Sequence, residues 1–390
     1  MASGLVIGAG PAGLMAADVM SRAGLAVTVV DQKPSVARKF LMAGKSGLNL
    51  TKDEKDANFL AAYGESATRL APMIAEFGVA EVMAWAEALE QEIFTGSTGR
   101  VFPKAMKASP LLRAWLARLD AQDVDRRVRW RWTGWDDGLA LFETPQGVQT
   151  VEADVTVLAL GGGSWARLGS DGLWSEALQG VELAPFQPSN TGLQIDWSEP
   201  MARHLGQPVK NIALYCGPLQ SRGEIVLSQR GVEGGGIYTL TPSLRLGEPL
   251  WIDLMPDLTG EALCARLKKP KGKMSTGTYL RKTLKLDPIK IGLLNEFARP
   301  LPKDGAELAG VIKQLPISYL GLRPLDEAIS TTGGVTFSAV NRDLMLKSMP
   351  GVFVAGEMMD WDAPTGGYLM TACLSTGAWA GQAAIRYALR

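Results

Sequence analysis

Short apolar runs alternate with amphipathic segments at the start of the chain. Residues 5–7 and 25–30 are apolar runs, and the segment 14–23 between them has helical composition and ends at Gly24. Apolar runs of this length, bounded by turn residues, indicate buried strands. A strand, a helix and a second strand in this order predict a parallel βαβ unit, the building block of α/β folds.

The turn between the first strand and the helix carries a glycine motif. Gly8-Ala-Gly10-Pro-Ala-Gly13 fits G-x-G-x-x-G in its expected strand, turn and helix context. Gly8 permits the tight turn, Gly10 lets the backbone approach a pyrophosphate, and Gly13 lets the helix pack closely on the strand. Asp31 ends the second strand, where a carboxylate accepts a hydrogen bond from an adenosine ribose. An acid there disfavours a 2′-phosphate, so we predict FAD or NAD rather than NADP.

Two later apolar strands also end in glycine. The run 155–160 leads into Gly161-Gly162-Gly163, and the run 351–355 leads into Gly356-Glu357. Ligands of open α/β sheets bind beyond the carboxyl ends of strands, so both runs are expected to reach the same dinucleotide. Thr365-Gly366-Gly367 then opens the last helix, whose N-terminus is able to hold an electron-rich group.

The middle of the chain has a different pattern. The alternating run 126–132 and the runs 139–143 and 148–151 predict a three-strand meander. Short strand-like runs separated by glycine and proline follow up to residue 256, and a helical stretch then extends to residue 313. We therefore predict three parts. They are a discontinuous cofactor domain (1–190 and 321–390), an inserted β domain (191–256, completed near 314–335) and a basic helical subdomain (257–313).

Composition narrows the class of protein. The 390 residues carry 40 basic and 40 acidic side chains and are 46% hydrophobic, which is ordinary globular composition. The three cysteines have no paired spacing and the chain has one histidine, so we predict no metal site, no redox disulfide and a reduced, cytoplasmic protein. The start of the chain has no basic signal-peptide region. The uncharged stretch 363–385 is rich in glycine and threonine and is predicted to be a buried helix without membrane contact.

Three segments resemble a known family. They are residues 38–51, residues 160–172, and residues 332–335 with 355–360 and 365–368. Together they resemble bacterial FAD-binding flavoproteins labelled aminoacetone oxidases or NAD(P)/FAD-dependent oxidoreductases. That family includes a 3-dehydro-bile-acid reductase and the ribosomal RNA dihydrouridine synthase. The resemblance implies an α/β fold with a glutathione-reductase-like FAD-binding Rossmann domain, an inserted β-barrel-like domain and a small helical domain.

The resemblance also implies FAD as cofactor, with NADH or NADPH as a transient electron donor. The residues expected to contact FAD are Gly8, Gly10, Ala12, Gly13, Asp31, Gln32, Arg38, Lys39, Gly44, Asn49, Val128, Gly161, Gly162, Gly356, Glu357, Asp360, Thr365, Gly366, Gly367 and Tyr368.

The chain departs from the family pattern at two positions, which indicates a divergent subgroup. Leu48 stands where the family loop has a cysteine, and Gln229 stands where the family has a histidine. Neither replacement titrates near neutral pH. The substrate-side candidates, chosen from loop position and hydrogen-bonding capacity, are Lys45, Gln229, Glu233 and Tyr368.

The predicted function is an FAD-dependent oxidoreductase that reduces an unsaturated C=C substrate with electrons from NAD(P)H. The alternatives are an RNA-directed flavoenzyme, an RNA-binding protein with structural FAD, and an oxidase that uses O₂. The RNA alternatives follow from the family resemblance together with a basic stretch from Arg266 to Lys290, which has nine basic residues against one acid, a net charge of +8. Such a stretch is a solvated face, a contact for RNA or the ribosome, or a site for an anionic small substrate.

Overall fold

A computed structural model of the chain describes residues 1–44 and 47–390. The catalytic candidate Lys45 therefore lies outside the described residues. The strands are β1 (Ser3–Ile7), β2 (Ala26–Asp31), β3 (Thr51–Lys52), β4 (Ile93–Thr95), β5 (Arg100–Pro103), β6 (Asp125–Val128), β7 (Arg131–Asp136), β8 (Leu139–Thr144), β9 (Gly147–Val151), β10 (Val155–Leu158), β11 (Leu183–Ser189), β12 (Leu193–Gln194), β13 (Pro208–Cys216), β14 (Leu219–Ser228), β15 (Gly231–Glu233), β16 (Leu250–Asp253), β17 (Leu315–Ile317), β18 (Gly321–Leu322), β19 (Ser330–Val335) and β20 (Val352–Val354). The α-helices are α1 (Pro11–Arg22), α2 (Arg38–Ala43), α3 (Asp56–Ala61), α4 (Ala67–Glu76), α5 (Val79–Glu87), α6 (Ala108–Ala121), α7 (Gly235–Tyr238), α8 (Thr241–Arg245), α9 (Gly260–Leu267), α10 (Thr276–Leu284), α11 (Pro288–Phe297), α12 (Gly305–Lys313) and α13 (Tyr368–Ala388).

The chain divides into two compact units. The first unit comprises Met1–Pro188 and Leu325–Arg390, and the second comprises Ser189–Pro324. The predicted bounds of the discontinuous domain, 190 and 321, lie within a few residues of these divisions. Among the helices of the described ranges, none has the length and apolar character required to cross a bilayer.

A five-stranded parallel sheet forms the centre of the first unit. Its strand order is β20-β10-β1-β2-β6, and β1 lies in register with β10 on one side and with β2 on the other. The strands at its centre are apolar on both faces, as parallel sheets covered by helices require. Helix α1 starts with Pro11 at its first turn, where a missing N–H costs nothing.

Helices α1 and α13 pack closely through small residues. A Cβ at Gly377 would lie 2.2 Å from the carbonyl oxygen of Ala12, and one at Gly381 would lie 3.0 Å from that of Ala16. Glycine at these positions therefore permits contact between the two helix backbones. This contact joins the two ends of the chain within one unit.

The predicted strand at 126–132 is wrong as a single element. Residues 125–128 form β6, which pairs in parallel with β2, whereas β7 starts at Arg131 and opens the antiparallel meander β7-β8-β9. The chain turns at Arg129, which has a positive φ of 63°. The amide of Trp130 donates to the carbonyl of Asp31 at 3.0 Å, and this bond ends the parallel pairing. Alternating side chains alone do not reveal which partner strand each half selects.

The second unit is a seven-stranded sheet covered by helices. Its order is β17-β16-β13-β14-β15-β12-β18, and each pairing is antiparallel. Leu280 of α10 and Leu293 of α11 belong to the same buried cluster as Leu214 and Ile252 of the sheet. The stretch 257–313 thus shares its core with the β domain rather than forming one of its own.

The basic stretch separates into an exposed part and a buried residue. Eight of its side chains are exposed on α9, on α10 and on the loops that follow them: Arg266, Lys268, Lys269, Lys271, Lys273, Arg281, Lys282 and Lys285. The inclusion of Lys290 in this contact stretch is corrected by the structure. Its side chain is 6% exposed, and its ammonium donates to the carbonyls of Asn211 at 2.9 Å and Leu254 at 2.7 Å. Burial lowers the pKa of Lys290. Its charge therefore satisfies backbone carbonyls and does not contribute to the exposed face.

Candidate cofactor site

A cavity of about 430 Å³ lies in the first unit beyond the carboxyl ends of β1, β2, β10 and β20. This volume is within the range of small-molecule sites. Ten of the residues predicted to contact the cofactor line it, namely Gly8, Gly10, Ala12, Asp31, Gln32, Arg38, Lys39, Gly161, Gly356 and Glu357. The cavity therefore joins sequence segments from both ends of the chain.

The three glycines of the first turn have different surroundings. Gly8 has a φ of 106°, and a Cβ there would lie 2.3 Å from the carbonyl oxygen of Ala159. A Cβ at Gly13 would lie 1.9 Å from the carbonyl oxygen of Gly8, so the third glycine serves packing. Within residues 1–44 and 47–390, no atom other than those of its chain neighbours lies within 4 Å of the Cβ position of Gly10. Gly10 thus leaves open space beside the N-terminus of α1, where backbone amides favour an anion.

Asp31 is fixed at the end of β2 by the backbone. Its carboxylate accepts hydrogen bonds from the amides of Ala9 at 3.2 Å and Lys33 at 2.8 Å. Burial raises the pKa of Asp31, and these two hydrogen bonds oppose that effect. The carboxylate is thereby held in one orientation at the cavity, with further lone pairs that can accept from a ribose hydroxyl.

The loop 161–171 forms one wall and is tied to its surroundings by side chains. The Gln32 side chain donates to the carbonyl of Gly169 at 2.9 Å, and the Trp174 indole donates to that of Gly161 at 2.8 Å. Sequence reasoning missed the tryptophans that line the cavity, Trp130, Trp132 and Trp174. In the sequence, Trp130 and Trp132 look like one face of a strand. Only their position just after β6, whose end pairs with Asp31, could have indicated that they lie beside the cofactor site.

Opposite charges meet where α2 and the segment after β20 line the cavity. The Lys39 ammonium is 2.9 Å from Glu357 Oε2 and also reaches the hydroxyls of Ser164 at 3.2 Å and Ser170 at 3.4 Å. Cys373 of α13 lies on the same wall, and burial raises the pKa of its thiol. A neutral thiol of this kind is unreactive.

Several predicted FAD contacts lie elsewhere in the first unit. Gly13 and Gly44 pack against the backbone of Gly8 and against Ala108, and Gly162 packs against Thr331. Asp360 accepts from the amide of Gly333 at 2.9 Å. Val128, Asn49, Thr365, Gly366, Gly367 and Tyr368 are also absent from the lining of the cavity. Contact between these residues and FAD stays a prediction.

Three side chains form a hydrogen-bonded cluster at the start of α13. The Lys52 ammonium donates to Tyr368 Oη at 2.8 Å and lies 2.9 Å from Glu54 Oε2, and Tyr368 Oη donates to Glu54 Oε1. Burial, followed by the bond to Glu54, raises the pKa of Tyr368. Burial works to lower the pKa of Lys52, but its bonds to Tyr368 and Glu54 outweigh that effect and raise it. The sequence offered no signal for Lys52 or Glu54.

The candidates Gln229 and Glu233 lie in the second unit. Gln229 is exposed in the turn between β14 and β15, and Glu233 ends β15. Glu233 Oε2 is 2.7 Å from the guanidinium of Arg323, a residue that sequence reasoning missed. The guanidinium also donates to Ser228 Oγ. Glu233 therefore has a structural partner within its own unit.

The cavity offers what an adenine dinucleotide requires. Arg38 Nε and Trp132 Nε1 are buried donors on its lining residues, and neither has a partner in the part of the chain that the structure describes. Buried donors are seldom left without an acceptor, and ring nitrogens and phosphate oxygens of a dinucleotide are acceptors. The open side of Gly10 leaves room for the pyrophosphate. The residues present thus fit the group.

This sheet, glycine turn and acid at the end of β2 define a Rossmann-fold dinucleotide-binding protein. The chain matches the family described as HI0933-like protein Rossmann domain over residues 3–383, and it belongs to this family of FAD-binding oxidoreductases. The predicted fold class and family are therefore confirmed, as is the assignment as an FAD-dependent enzyme.

Individual relatives are distant. The chain is 24% identical to the 3-dehydro-bile acid delta(4,6)-reductase of Clostridium scindens, over 97% of this chain and 98% of the relative. It is 22% identical to the ribosomal RNA dihydrouridine synthase of Escherichia coli, over 93% of each chain. Among solved structures it resembles a flavocytochrome c3 fumarate reductase in its open conformation. That match has a TM-score of 0.54 and 18% identity and covers 100% of this chain and 79% of that one. The structural match shows a shared fold.

Proposed function

We propose that the protein reduces a C=C bond of an unsaturated substrate with electrons that NADH or NADPH delivers to bound FAD. The observation that carries the proposal is the Lys52, Glu54 and Tyr368 cluster in the same unit as the cofactor cavity. Reduction of a C=C bond adds a hydride and a proton. A neutral phenol held by an ammonium and a carboxylate is a suitable proton donor. The activity in the name of the Clostridium relative supports this reaction class.

The position of the cluster suits this role. Cys373 lines the cavity and lies five residues after Tyr368 on α13, so the start of the helix is about 7.5 Å further along its axis. Bound FAD supplies the hydride chemistry at its flavin ring. Gly10, Asp31 and the N-terminus of α1 would hold the adenosine and pyrophosphate half. Lys39 and Glu357, which line the same cavity, would hold the flavin half.

An absorbance experiment tests the reductive half of this proposal. We expect the purified protein to show the bands of oxidised flavin and to lose them when NADH or NADPH is added under anaerobic conditions. A 3-oxo-4,6-diene steroid, chosen from the name of the Clostridium relative, should then restore the bands faster than air does. Rapid recovery in air alone would favour an oxidase that uses O₂. A flavin that neither nicotinamide bleaches would refute the proposed donor.

A second candidate is reduction directed to RNA, and the exposed basic face of α9 and α10 favours it. None of the eight exposed cations has an ion-pair partner within residues 1–44 and 47–390. Tyr279, the aromatic side chain of this stretch, is buried, and its hydroxyl donates to the carbonyl of Leu267 at 2.7 Å. The face therefore suits contact with phosphates and not stacking with bases. The name of the Escherichia coli relative supports an RNA substrate.

Charge reversal tests the basic face. We expect Lys268→Glu with Lys269→Glu to weaken binding of a labelled, uridine-rich single-stranded RNA roughly tenfold at low salt, measured by fluorescence anisotropy. The slope of affinity against salt should also become shallower. Lys107→Glu with Arg113→Glu is the matched control, because both residues are exposed and lie outside this face. Equal weakening by the two double variants would assign RNA affinity to net charge alone.

A further inference from the structure

A small three-stranded sheet in the first unit carries both aromatic and cationic side chains on one face. Strand β5 lies between β3 and β4, with Lys52 opposite Arg100 and Phe94 opposite Phe102. Residues that lie opposite each other in an antiparallel pair point to the same side of the sheet, and so do alternate residues of one strand. Lys52, Arg100, Phe94 and Phe102 therefore share one face, which we call the platform face.

The apolar end of the platform face is open to solvent. The rings of Phe94 and Phe102 stack with centroids 5.7 Å apart and planes 27° apart, and Phe94 is 39% exposed. Met106 is 38% exposed. A Cβ at Gly47 would lie 2.7 Å from the methyl carbon of Met106 and 4.0 Å from the Phe102 ring, so these two side chains are neighbours. Three apolar side chains together at the surface suit a flat apolar ring system wider than one nucleobase.

The polar end of the platform face carries a guanidinium with free donors. Within residues 1–44 and 47–390, the Arg100 side chain has no hydrogen-bond or ion-pair partner, whereas Lys52 beside it is bound to Tyr368 and Glu54. A guanidinium has five N–H donors and is weakly hydrated, so it readily binds an oxygen acceptor in apolar surroundings. Arg100 can therefore bind a ligand oxygen without giving up a contact within the protein.

The polar end also meets the start of α13. A Cβ at Gly366 would lie 3.7 Å from Arg100 Nε and 3.5 Å from Tyr368 Cε2, so the two side chains border the same small space. Glycine leaves that space open. The Lys52 ammonium lies 5.3 Å from the centre of the Tyr368 ring. A ligand whose oxygen binds Arg100 would therefore have its adjoining carbon atoms near the cluster that holds Tyr368.

We propose that the platform face binds the substrate, and that the substrate is a flat, apolar, polycyclic ketone. The ring system would lie on Phe94 and Phe102, and the carbonyl oxygen would accept a hydrogen bond from Arg100. The C=C bond conjugated to that carbonyl would then lie beside Tyr368. The substrate class rests on the proposed reduction of a C=C bond, which a conjugated carbonyl activates. Phe94, Phe102 and Arg100 were not among the substrate-side candidates that sequence reasoning chose.

Two steroids that differ by one oxygen atom test the platform face on the oxidised holoprotein without nicotinamide. One is the 3-oxo-4,6-diene steroid of the absorbance experiment, and the other is its 3-deoxy analogue, which lacks the carbonyl. We expect Arg100→Met to weaken binding of the ketone about tenfold and to leave binding of the analogue unchanged, because only the ketone offers an acceptor. Phe94→Ala should weaken binding of both steroids about tenfold, because both would cover the exposed ring. Equilibrium dialysis measures the affinities.

Arg113→Met and Tyr215→Ala are the matched controls. Arg113 is exposed on α6, and Tyr215 on β13 of the second unit is 39% exposed, as Phe94 is in the first. Neither control should change the affinity for either steroid. Equal losses of ketone and analogue binding in Arg100→Met, or unchanged affinities in Phe94→Ala, would overturn the proposal.

These binding measurements separate the site from the reaction. No electron donor is present, so the ketone can bind even if NADH and NADPH fail to reduce the flavin. Ketone binding that depends on Phe94 and Arg100, in a protein that never reduces the ketone, would keep the site and refute the reaction. Uridine is the third probe. Binding of uridine but of neither steroid would overturn the polycyclic class and assign the platform face to a single base, and failure of all three probes to bind would overturn the site itself.

Discussion

A Gly10→Leu variant is expected to fold normally and to lose FAD. The Cβ position of Gly10 faces open space: apart from its chain neighbours, no atom of the described residues lies within 4 Å, so the first carbon of a larger side chain meets no clash in the apoprotein. The same side chain would fill the space beside the N-terminus of α1 that a pyrophosphate needs. We expect the purified variant to be colourless, to bind FAD at least 100-fold more weakly by fluorescence titration, and to keep the thermal midpoint of the wild-type apoprotein.

Gly13→Ala is the matched control for this prediction. It changes the same turn by a single methyl group, but that methyl would lie 1.9 Å from the carbonyl oxygen of Gly8. Relief of the clash requires α1 to move away from β1, and we expect the variant to lose about 3 kcal/mol of stability to chemical denaturation. If Gly10→Leu retained its flavin, or if it were destabilised as much as Gly13→Ala, the assignment of Gly10 to the open side of the turn would be wrong.

The parts of the fold that sequence predicted are those in which local pattern and local chemistry agree. The glycine turn needs Gly8, Gly10 and Gly13 within one strand-to-helix connection, and Asp31 follows on the next strand. Each requirement is met by neighbours in the sequence, so spacing alone points to the fold. The same holds for Gly356 and Glu357, because an apolar run identifies the strand that carries them.

Pairs that tertiary structure brings together were not predictable in this way. Lys39 lies 318 positions from Glu357, and Lys52 lies 316 positions from Tyr368. The sequence marked Lys39, Glu357 and Tyr368 as site residues separately, but no pattern indicates which cation meets which acid. Lys290 shows the reverse error, because a lysine in a charged run looks solvated although it donates to two buried carbonyls. Charge in a sequence does not indicate which backbone groups need a donor.

Tyr368→Phe is expected to slow substrate reduction roughly 100-fold and to leave the rate at which the nicotinamide reduces bound FAD unchanged. Loss of a positioned general acid costs about 10² to 10⁴ in rate. The phenol is one member of the three-residue cluster, and the substitution removes its proton while keeping the ring that packs against Phe59 with centroids 4.9 Å apart. Stopped-flow absorbance measures the two half-reactions separately, so the defect should appear only when the substrate is added.

The pH dependence gives an independent check. Burial and the bond to Glu54 raise the pKa of Tyr368 above the ordinary phenol value of about 10. The acid form therefore persists through neutral pH, and the rate of substrate reduction should stay flat until pH exceeds about 10. Tyr63→Phe is the matched control, because Tyr63 is a buried phenol that donates to the backbone carbonyl of Tyr368 at 2.8 Å and lies outside the cluster. Equal slowing by Tyr63→Phe would reduce Tyr368 to a packing role. If proton transfer from Tyr368 limits the rate of substrate reduction, the decline of that rate at high pH should disappear in Tyr368→Phe and persist in Tyr63→Phe.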